Sequence, residues 1–245
     1  NGNQNIFGIM SSKQDLKYKY TIFRNLDDAI KNSNSNTYFI ISSPPEVHFK
    51  QIIKVLNAER NIFVEKPIFT GFEQVENIAN LLKGKNMFIT ELLMYKYTKL
   101  YEKFLRTWKK KKNKCIKIEC VFNIPSMPGN TFRDKNNITS SPLYDIGCYP
   151  LSLLVDLKIS LKNLKILETK FKRNKLIHLS MSGFYNDLEV YLEFGLKKEY
   201  KNLVRLRFQK DYYIIFEKFF YGIETKKQVI LKKGNRAKTL SFTDQ

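Results

Sequence analysis

A lysine between an acid and a proline is the residue of this sequence best suited to proton chemistry. Lys66 follows an apolar run at residues 61–64, which predicts a buried strand, and it lies between Glu65 and Pro67. A neighbouring carboxylate favours the charged ammonium, and a proline restricts the direction of the backbone. The pattern predicts a lysine whose charge is held in place at a strand end, although by position alone a surface lysine in a strand-to-helix loop is the commoner case.

An acid and a phenol four residues apart form the second candidate. Asp145 and Tyr149 lie in the loop-to-helix segment 140–154, and i, i+4 spacing places both on one face of a helix. They would supply an orienting charge and a proton-holding group, as carbonyl reduction or alcohol oxidation requires. The alternative is a capped helix in which Tyr149 is a core aromatic. We expect Lys66, Asp145 and Tyr149 to converge on one cleft.

Alternating strand and helix patterns in the first half of the chain must position Lys66. Such alternation is typical of parallel βαβ units. The apolar runs lie at residues 6–10, 20–23, 37–41, 61–64 and 86–89. The third run ends at a Ser-Ser-Pro-Pro turn, and α/β sheets bind ligands at such strand ends. We expect an α/β Rossmann-like domain over residues 1–112.

The second half of the chain changes character after a lysine run at residues 109–112. Its segments alternate apolar and polar residues, like half-buried strands separated by turns such as Asn186-Asp187. These segments lie at residues 114–124, 164–171, 177–184, 188–194, 203–208 and 212–216. We expect an α+β domain with a mainly antiparallel sheet over residues 113–245.

Composition narrows the class of protein. The chain has 245 residues, 43% of them apolar, and a formal net charge of +20. Because lysine is spread through almost every segment, solvated faces are favoured over a phosphate-binding patch, and no nucleic-acid partner is expected. No apolar run approaches the ~20 residues that cross a bilayer, so no membrane is expected. Three cysteines without a C-x-x-C pair predict neither disulfide nor metal site and favour the cytoplasm.

Five blocks carry a resemblance that spans most of the chain. They are Ser42-Ser43-Pro44-Pro45-Glu46-Val47-His48, Glu65-Lys66-Pro67, Glu91-Leu92-Leu93-Met94-Tyr95-Lys96-Tyr97, Phe122-Asn123-Ile124-Pro125-Ser126 with Thr131-Phe132-Arg133, and Leu143-Tyr144-Asp145-Ile146-Gly147-Cys148-Tyr149. In order and spacing they resemble the Gfo/Idh/MocA oxidoreductases, which act on sugars and related polyols or diols. Tyr149, where many relatives have histidine, is similar to the branch of glucose-fructose oxidoreductase, dihydrodiol dehydrogenase and deoxysugar 3-ketoreductases.

The resemblance implies an NAD(P)-dependent enzyme that transfers a hydride to or from a hydroxyl or ketone of a sugar, or of a nucleotide-linked sugar. Lys66 would bridge the nicotinamide ribose and the substrate hydroxyl. Tyr149 would be the general acid or base, its tyrosinate stabilised by the Lys66 ammonium. Substrate contacts are implied at Tyr95, Lys96, Arg133 and Asp145, although an exposed loop position is the alternative for Arg133. A homo-oligomer through the C-terminal sheet is also implied.

Cofactor contacts are implied in the first domain. They fall on Ser11, Ser12, Lys13, Ser43, Pro44, Pro45, His48, Glu65 and Lys66. Residues 11–13 would contact the adenosine ribose. Two serine hydroxyls and a lysine suit a 2′-phosphate, and no acid is present there to accept from a 2′-hydroxyl. NADP is therefore favoured, with NAD as the alternative. His48 would border the nicotinamide, and a packed or capping histidine is the other interpretation.

The resemblance fails at both ends of the sequence. The family opens with a strand and a G-x-G-x-x-G turn that holds the pyrophosphate, and this sequence has neither. We therefore expect a fragment with a gap in the centre of its parallel sheet and without the C-terminal helix, which binds dinucleotide poorly and is inactive by itself. The alternative is a non-catalytic relic or scaffold that has lost the pyrophosphate site.

Overall fold

The computed structural model describes residues 7–9, 21–126, 129, 132–221 and 226–243. The chain divides into two compact units, Asn1–Leu92 and Leu93–Gln245. The sequence predicts this boundary at residues 112/113. In the structure it lies between Leu92 and Leu93, so the long helix Lys99–Lys111 belongs to the second unit. The reason is packing, because Leu100 and Phe104 of that helix are fully buried in the core of the second unit.

Parallel strands and helices alternate in the first unit. Its strands are β1 (Phe7–Ile9), β2 (Thr21–Phe23), β3 (Tyr38–Ile41), β4 (Asn61–Glu65) and β5 (Ile89–Leu92), and its helices are α1 (Leu26–Lys31), α2 (Pro45–Asn57) and α3 (Phe72–Leu82). Within the described residues, β1 pairs with β2, while β3, β4 and β5 form a separate sheet in that order. Among the residues that the structure describes, no ladder joins the two sheets.

The core of the first unit lies between helix α2 and the three-stranded sheet. Ile52, Val55 and Leu56 of α2 are fully buried in one cluster with Ile62 and Val64 of β4. Burial of this apolar surface stabilises the unit by roughly 25 cal/mol for each Å² removed from water. This packing holds the carboxyl end of β4 in place, and with it the backbone of Lys66, which directly follows the strand.

The second unit is built on one eight-stranded sheet. Its order is β13-β12-β11-β10-β6-β9-β8-β7, and each neighbouring pair is antiparallel except β6 with β9. The strands are β6 (Cys115–Ile124), β7 (Lys162–Lys172), β8 (Lys175–Tyr185), β9 (Leu188–Leu196), β10 (Lys201–Phe208), β11 (Tyr212–Glu217), β12 (Lys226–Lys233) and β13 (Arg236–Thr243). The helices are α4 (Lys99–Lys111), α5 (Pro142–Asp145) and α6 (Cys148–Asp156). A mainly antiparallel sheet is thus confirmed.

One face of this sheet packs against α4 and α6. Phe104 of α4 contacts Phe216, with ring centroids 5.2 Å apart, and Tyr149 of α6 contacts Phe122 at 5.7 Å. Leu153 of α6 is fully buried in the same cluster. No helix in the described part of the chain is both long and apolar enough to span a bilayer.

The three cysteines are free and unequally accessible. Cys115 and Cys120 are buried on β6, and Cys148 at the start of α6 is half-buried. Burial raises the pKa of the Cys115 thiol to about 11 and raises that of Cys120 further. Both buried thiols are therefore protonated and chemically inert at neutral pH.

The opposite face of the sheet carries a carboxylate with three donors. Glu193 of β9 accepts hydrogen bonds from Asn123 Nδ2 and Lys198 Nζ, both at 2.9 Å, and from the Tyr191 hydroxyl at 3.0 Å. Burial raises the pKa of Glu193, but these hydrogen bonds outweigh it and lower the pKa to about 2. The charged form of Glu193 therefore stabilises the folded unit.

Glu193→Gln should make the protein less sensitive to acid. A carboxylate whose pKa is lowered by folding stabilises the folded state above its unfolded pKa of ~4.3. That stabilisation disappears as pH falls through the folded pKa of about 2. Urea unfolding between pH 6 and pH 2 should show the wild-type advantage over the variant shrinking by about 3 kcal/mol. Lys198→Met should remove part of this slope, and a pH-independent advantage would contradict the assignment.

Candidate functional site

Lys66 lies at the carboxyl edge of the three-stranded parallel sheet. β4 ends at Glu65, whose ladder partner is Leu92, so Lys66 is the first residue beyond the ladder. Glu65 and Lys66 are half-buried, and the following Pro67 is buried after a cis peptide bond. The lysine is thus a partly shielded cation on a strand end, which is the position that the sequence predicts for it.

The turn after β3 lies beside this lysine in sheet order. Ser43 is half-buried and its hydroxyl donates to Gln51 Oε1 at 2.6 Å, while Pro44 is exposed at the start of α2 and Pro45 is its half-buried first residue. The two prolines present apolar surface near the strand ends. Ser11, Ser12 and Lys13, predicted at the adenosine ribose, lie outside the described residues.

His48 is only 1% exposed, and each of its ring nitrogens lies close to a backbone carbonyl oxygen. Nε2 lies 2.7 Å from the Ser43 carbonyl oxygen, and Nδ1 lies 3.1 Å from the Pro67 carbonyl oxygen. Because these partners hold the ring inside the unit, the geometry favours the packed alternative over a direct contact with the cofactor.

Glu91 has a part in this region that the sequence analysis did not assign. It lies on β5 beside Val64, and its Oε1 accepts from the backbone N–H of Ile68 at 3.0 Å. One sequence signal could have revealed this role. Glu91 is an acid on β5, the strand beside β4, close to the strand end that carries Lys66.

Among the described residues of the second unit, Asp145 is the most deeply buried acid, at 1% exposure. It is the last residue of α5, and Arg133 approaches it with two guanidinium nitrogens, Nε to Oδ2 and Nη2 to Oδ1. This pairing compensates for the removal of the carboxylate from water. Arg133 is therefore a partner of Asp145 and not a solvated loop residue, and Lys175 Nζ holds its backbone by donating to the carbonyls of Arg133 and Lys135.

The expected single helix through Asp145 and Tyr149 is two helices. α5 ends at Asp145 and α6 begins at Cys148, with Ile146 and Gly147 in the turn between them. Gly147 permits the close approach of the two helices, since a Cβ atom there would lie 2.5 Å from the carbonyl oxygen of Leu143. The i, i+4 face was therefore wrong, because the chain breaks the helix where glycine packs on backbone.

Gly147→Ala should destabilise the second unit by about 1–3 kcal/mol, because the added methyl group overlaps a backbone oxygen that cannot move alone. Chemical denaturation of the variant measures this loss. Gly71→Ala is the matched control, since a Cβ at Gly71 meets no heavy atom within 4 Å. Equal stability of the two variants would contradict the close packing at Gly147.

Tyr149 is a core aromatic at 7% exposure. Its ring contacts those of Tyr95, Phe122 and Phe220 at centroid distances of 5.9, 5.7 and 6.4 Å. The packing fixes the direction of the ring, and with it the place of the phenol oxygen. Core packing and proton transfer are compatible here, because a rigid ring holds its hydroxyl in one position.

Two predicted substrate contacts are corrected by the structure. Tyr95 is fully buried, and its hydroxyl is hydrogen-bonded to Ser152 Oγ at 2.8 Å, so it belongs to the core. Lys96 forms an ion pair with Asp156, with Nζ 2.8 Å from Oδ2, at the far end of α6. That end lies ~10 Å along the helix axis from Tyr149. Tyr95 is therefore a buried packing neighbour of Tyr149, and Lys96 is paired at the other end of α6.

The three predicted catalytic residues therefore fall into two groups. Lys66 belongs to the first unit, and Asp145 and Tyr149 belong to the second. Asp145 with Arg133 can orient a hydroxyl group by charge, Tyr149 can carry a proton, and Lys66 can donate to an oxygen that develops negative charge. Their joint action in one site stays a prediction.

The first unit matches a known family. Residues 6–91 match the GFO_IDH_MocA model, described as "Oxidoreductase family, NAD-binding Rossmann fold". A dTDP-3,4-didehydro-2,6-dideoxy-alpha-D-glucose 3-reductase of Saccharopolyspora spinosa is 25% identical over 108 residues, 44% of this chain and 32% of that protein. An uncharacterized oxidoreductase of Schizosaccharomyces pombe is 30% identical over 69 residues, 28% of this chain and 18% of that protein. The matches thus span a third or less of these relatives.

Solved structures resemble nearly the whole chain. The 3-ketoreductase KijD10 of Actinomadura kijaniata, in complex with NADP and TDP-benzene, superposes with a TM-score of 0.77 at 15% identity, covering 92% of this chain and 70% of that one. The UDP-N-acetylglucosamine 3-dehydrogenase GnnA of Acidithiobacillus ferrooxidans gives 0.70 at 13% identity, covering 92% and 69%. These likenesses confirm the predicted fold class, a Rossmann-like domain followed by an α+β domain.

Proposed function

We propose that this chain, which belongs to the Gfo/Idh/MocA oxidoreductase family, transfers a hydride between NADP(H) and a hydroxyl or ketone group of a sugar. The family predicted from the five sequence blocks is confirmed by the match over residues 6–91. The observation that carries the proposal is the place of Lys66, a half-buried ammonium on a strand end of a parallel sheet.

The residues of the chain fit a nicotinamide cofactor at this strand end. Exposed Pro44 and half-buried Ser43 and Pro45 offer an apolar surface and a hydroxyl after β3, next to the lysine on β4. When bound, the cofactor gives or accepts the hydride. Residues 43–45, Glu65 and Lys66 would hold its nicotinamide side, and we retain Ser11, Ser12 and Lys13 as the proposed contacts of the adenosine ribose.

In the proposed reaction each residue handles charge at the substrate oxygen or beside it. Lys66 would donate a hydrogen bond to the reacting oxygen, which lowers the pKa of a hydroxyl and stabilises the alkoxide as hydride leaves. The Tyr149 phenol would take the hydroxyl proton during oxidation and return it during reduction. Asp145, held by Arg133, would accept from a neighbouring hydroxyl and orient the sugar ring.

A nucleotide-linked sugar is the proposed substrate class. The Saccharopolyspora relative is named for a dTDP-linked sugar, and KijD10 was solved with TDP-benzene. We further propose a homo-oligomer through the face of the sheet opposite α4 and α6. The three free thiols support a location in the reducing cytoplasm.

A fluorescence titration of the whole protein with NADPH and NADH, followed by turnover assays, tests the proposal. We expect NADPH to bind more tightly than NADH and a dTDP- or UDP-linked 3-ketosugar to be reduced faster than the free sugar. Size-exclusion chromatography reports the oligomer. Failure of both cofactors to bind would overturn the proposal and favour the non-catalytic scaffold.

A further inference from the structure

We infer that His48 and Glu91 are positioning residues that fix the backbone beneath Lys66. This inference rests on the proposed function, in which Lys66 donates to the substrate oxygen. The segment concerned is Lys66-Pro67-Ile68, which we call the lysine loop. It begins where the ladder of β4 ends, at the Glu65 pair with Leu92.

Two side chains from separate elements hold successive backbone groups of the lysine loop. His48 Nδ1 lies 3.1 Å from the carbonyl oxygen of Pro67, and Glu91 Oε1 accepts from the N–H of Ile68 at 3.0 Å. The carbonyl of residue 67 and the N–H of residue 68 belong to one peptide unit. Glu91 therefore fixes the N–H of that peptide from β5, and the His48 ring on α2 donates to its carbonyl in the tautomer that carries hydrogen on Nδ1.

The His48 ring also joins the lysine loop to the turn after β3. Its Nε2 lies 2.7 Å from the Ser43 carbonyl oxygen, so the ring lies between two backbone carbonyls and, when neutral, donates its single N–H to one of them. At 1% exposure this ring is shielded from water, where a hydrogen bond is stronger and a lost one costs more. The buried ring therefore packs between the turn that borders the proposed nicotinamide and the lysine loop, and it donates a hydrogen bond to one of them.

Fixing this peptide affects how accurately the Lys66 ammonium is placed. Lys66 has a long flexible side chain. Mobility of its backbone would add to the mobility of that side chain. Catalytic groups act only when they are held close to the productive geometry, and a ~1 Å misplacement can lower the rate by about 100-fold. Fixing the peptide that follows Pro67 removes the backbone part of this uncertainty.

A purely structural role would predict lost stability without a specific effect on the lysine. The two roles are separated by His48→Phe, which keeps a ring but loses its nitrogens, and by Glu91→Met, which loses the acceptor. Glu91→Gln keeps an acceptor oxygen and is the conservative variant. Arg60→Met is the matched control, because Arg60 Nη2 donates to the Ser33 carbonyl at the opposite, amino end of β4.

We expect His48→Phe and Glu91→Met to lower kcat by about 10- to 100-fold with the NADPH dissociation constant changed less than about threefold. Arg60→Met should lower the melting temperature without changing kcat, and Glu91→Gln should retain most of the activity. In the absence of cofactor, acetic anhydride labels Lys66, and mass spectrometry compares the labelling rate with that of Lys54. This rate should change at least about twofold in His48→Phe and Glu91→Met and by less in the other two variants.

Unchanged labelling of Lys66 in His48→Phe and Glu91→Met, together with a kcat within twofold of wild type, would overturn the inference. If Glu91→Met does not fold, the comparison of Glu91→Gln with His48→Phe decides, because only the latter loses its contact with the lysine loop. Turnover that survives Lys66→Met would refute the proposed function instead, and the labelling result would still report whether the lysine loop is held.

Discussion

Lys66→Met should lower kcat by about 1,000-fold and leave the melting temperature within a few degrees of wild type. Removing one preorganised donor to a developing oxyanion costs about 100- to 1,000-fold in other enzymes, and here the charge is lost with the donor. The stability effect should be small because Lys66 is only half-buried and methionine preserves most of the length of the side chain. Stopped-flow reduction with NADPH measures the loss.

Lys54→Met is the control for the loss of one positive charge. Lys54 lies on α2 in the same unit, and its Nζ is 2.7 Å from Asp27 Oδ2, with both side chains largely exposed. Exposed pairs of this kind contribute about 0–1 kcal/mol, so neither stability nor kcat should change appreciably. A Lys66→Met protein that retained more than about a tenth of the wild-type kcat would end the assignment of Lys66 as the donor.

Tyr149→Phe should lower kcat by about 100- to 1,000-fold, because the phenol is the proposed proton carrier and general acid or base catalysis contributes effects of this size. The phenylalanine ring can keep the contacts with Tyr95, Phe122 and Phe220, so the fold should persist. The pH dependence of kcat separates a catalytic loss from a structural one. In the variant, the limb that reports the phenol should disappear.

The matched control for Tyr149→Phe is Tyr101→Phe. The Tyr101 hydroxyl donates to Asp156 Oδ2 at 2.6 Å, so this variant also loses one phenol hydrogen bond within the same core. It should cost about 1 kcal/mol of stability and leave the pH profile unchanged. Equal kcat values for the two variants, or a wild-type pH profile in Tyr149→Phe, would argue that Tyr149 is a packing residue alone.

The layout of the first unit could be predicted because its information is local. Apolar runs with caps and turns define β3, α2 and β4 within about 30 residues, and Asn25 caps α1 with its side chain as its residue type predicts. Local pattern does not place every side chain, since the apolar Val47 is 40% exposed. Val47 lies in the first turn of α2, where few helical neighbours define the apolar face of the helix.

The parts of the site that could not be predicted depend on contacts between distant residues. Lys96 was assigned to the substrate from its block, but its partner Asp156 lies 60 residues later in the sequence. The break of the helix at Gly147 depends on close approach to Leu143, which composition does not reveal. The bonds from His48 and Glu91 to the lysine loop likewise require the order β3-β4-β5 to be known.

The unequal burial of the three cysteines offers a practical handle on the second unit. Because the thiols of Cys115 and Cys120 are inert, a maleimide fluorophore should alkylate Cys148 first. That dye would lie one residue before Tyr149 in the sequence. Its emission would give an optical reporter of sugar binding without any engineered cysteine.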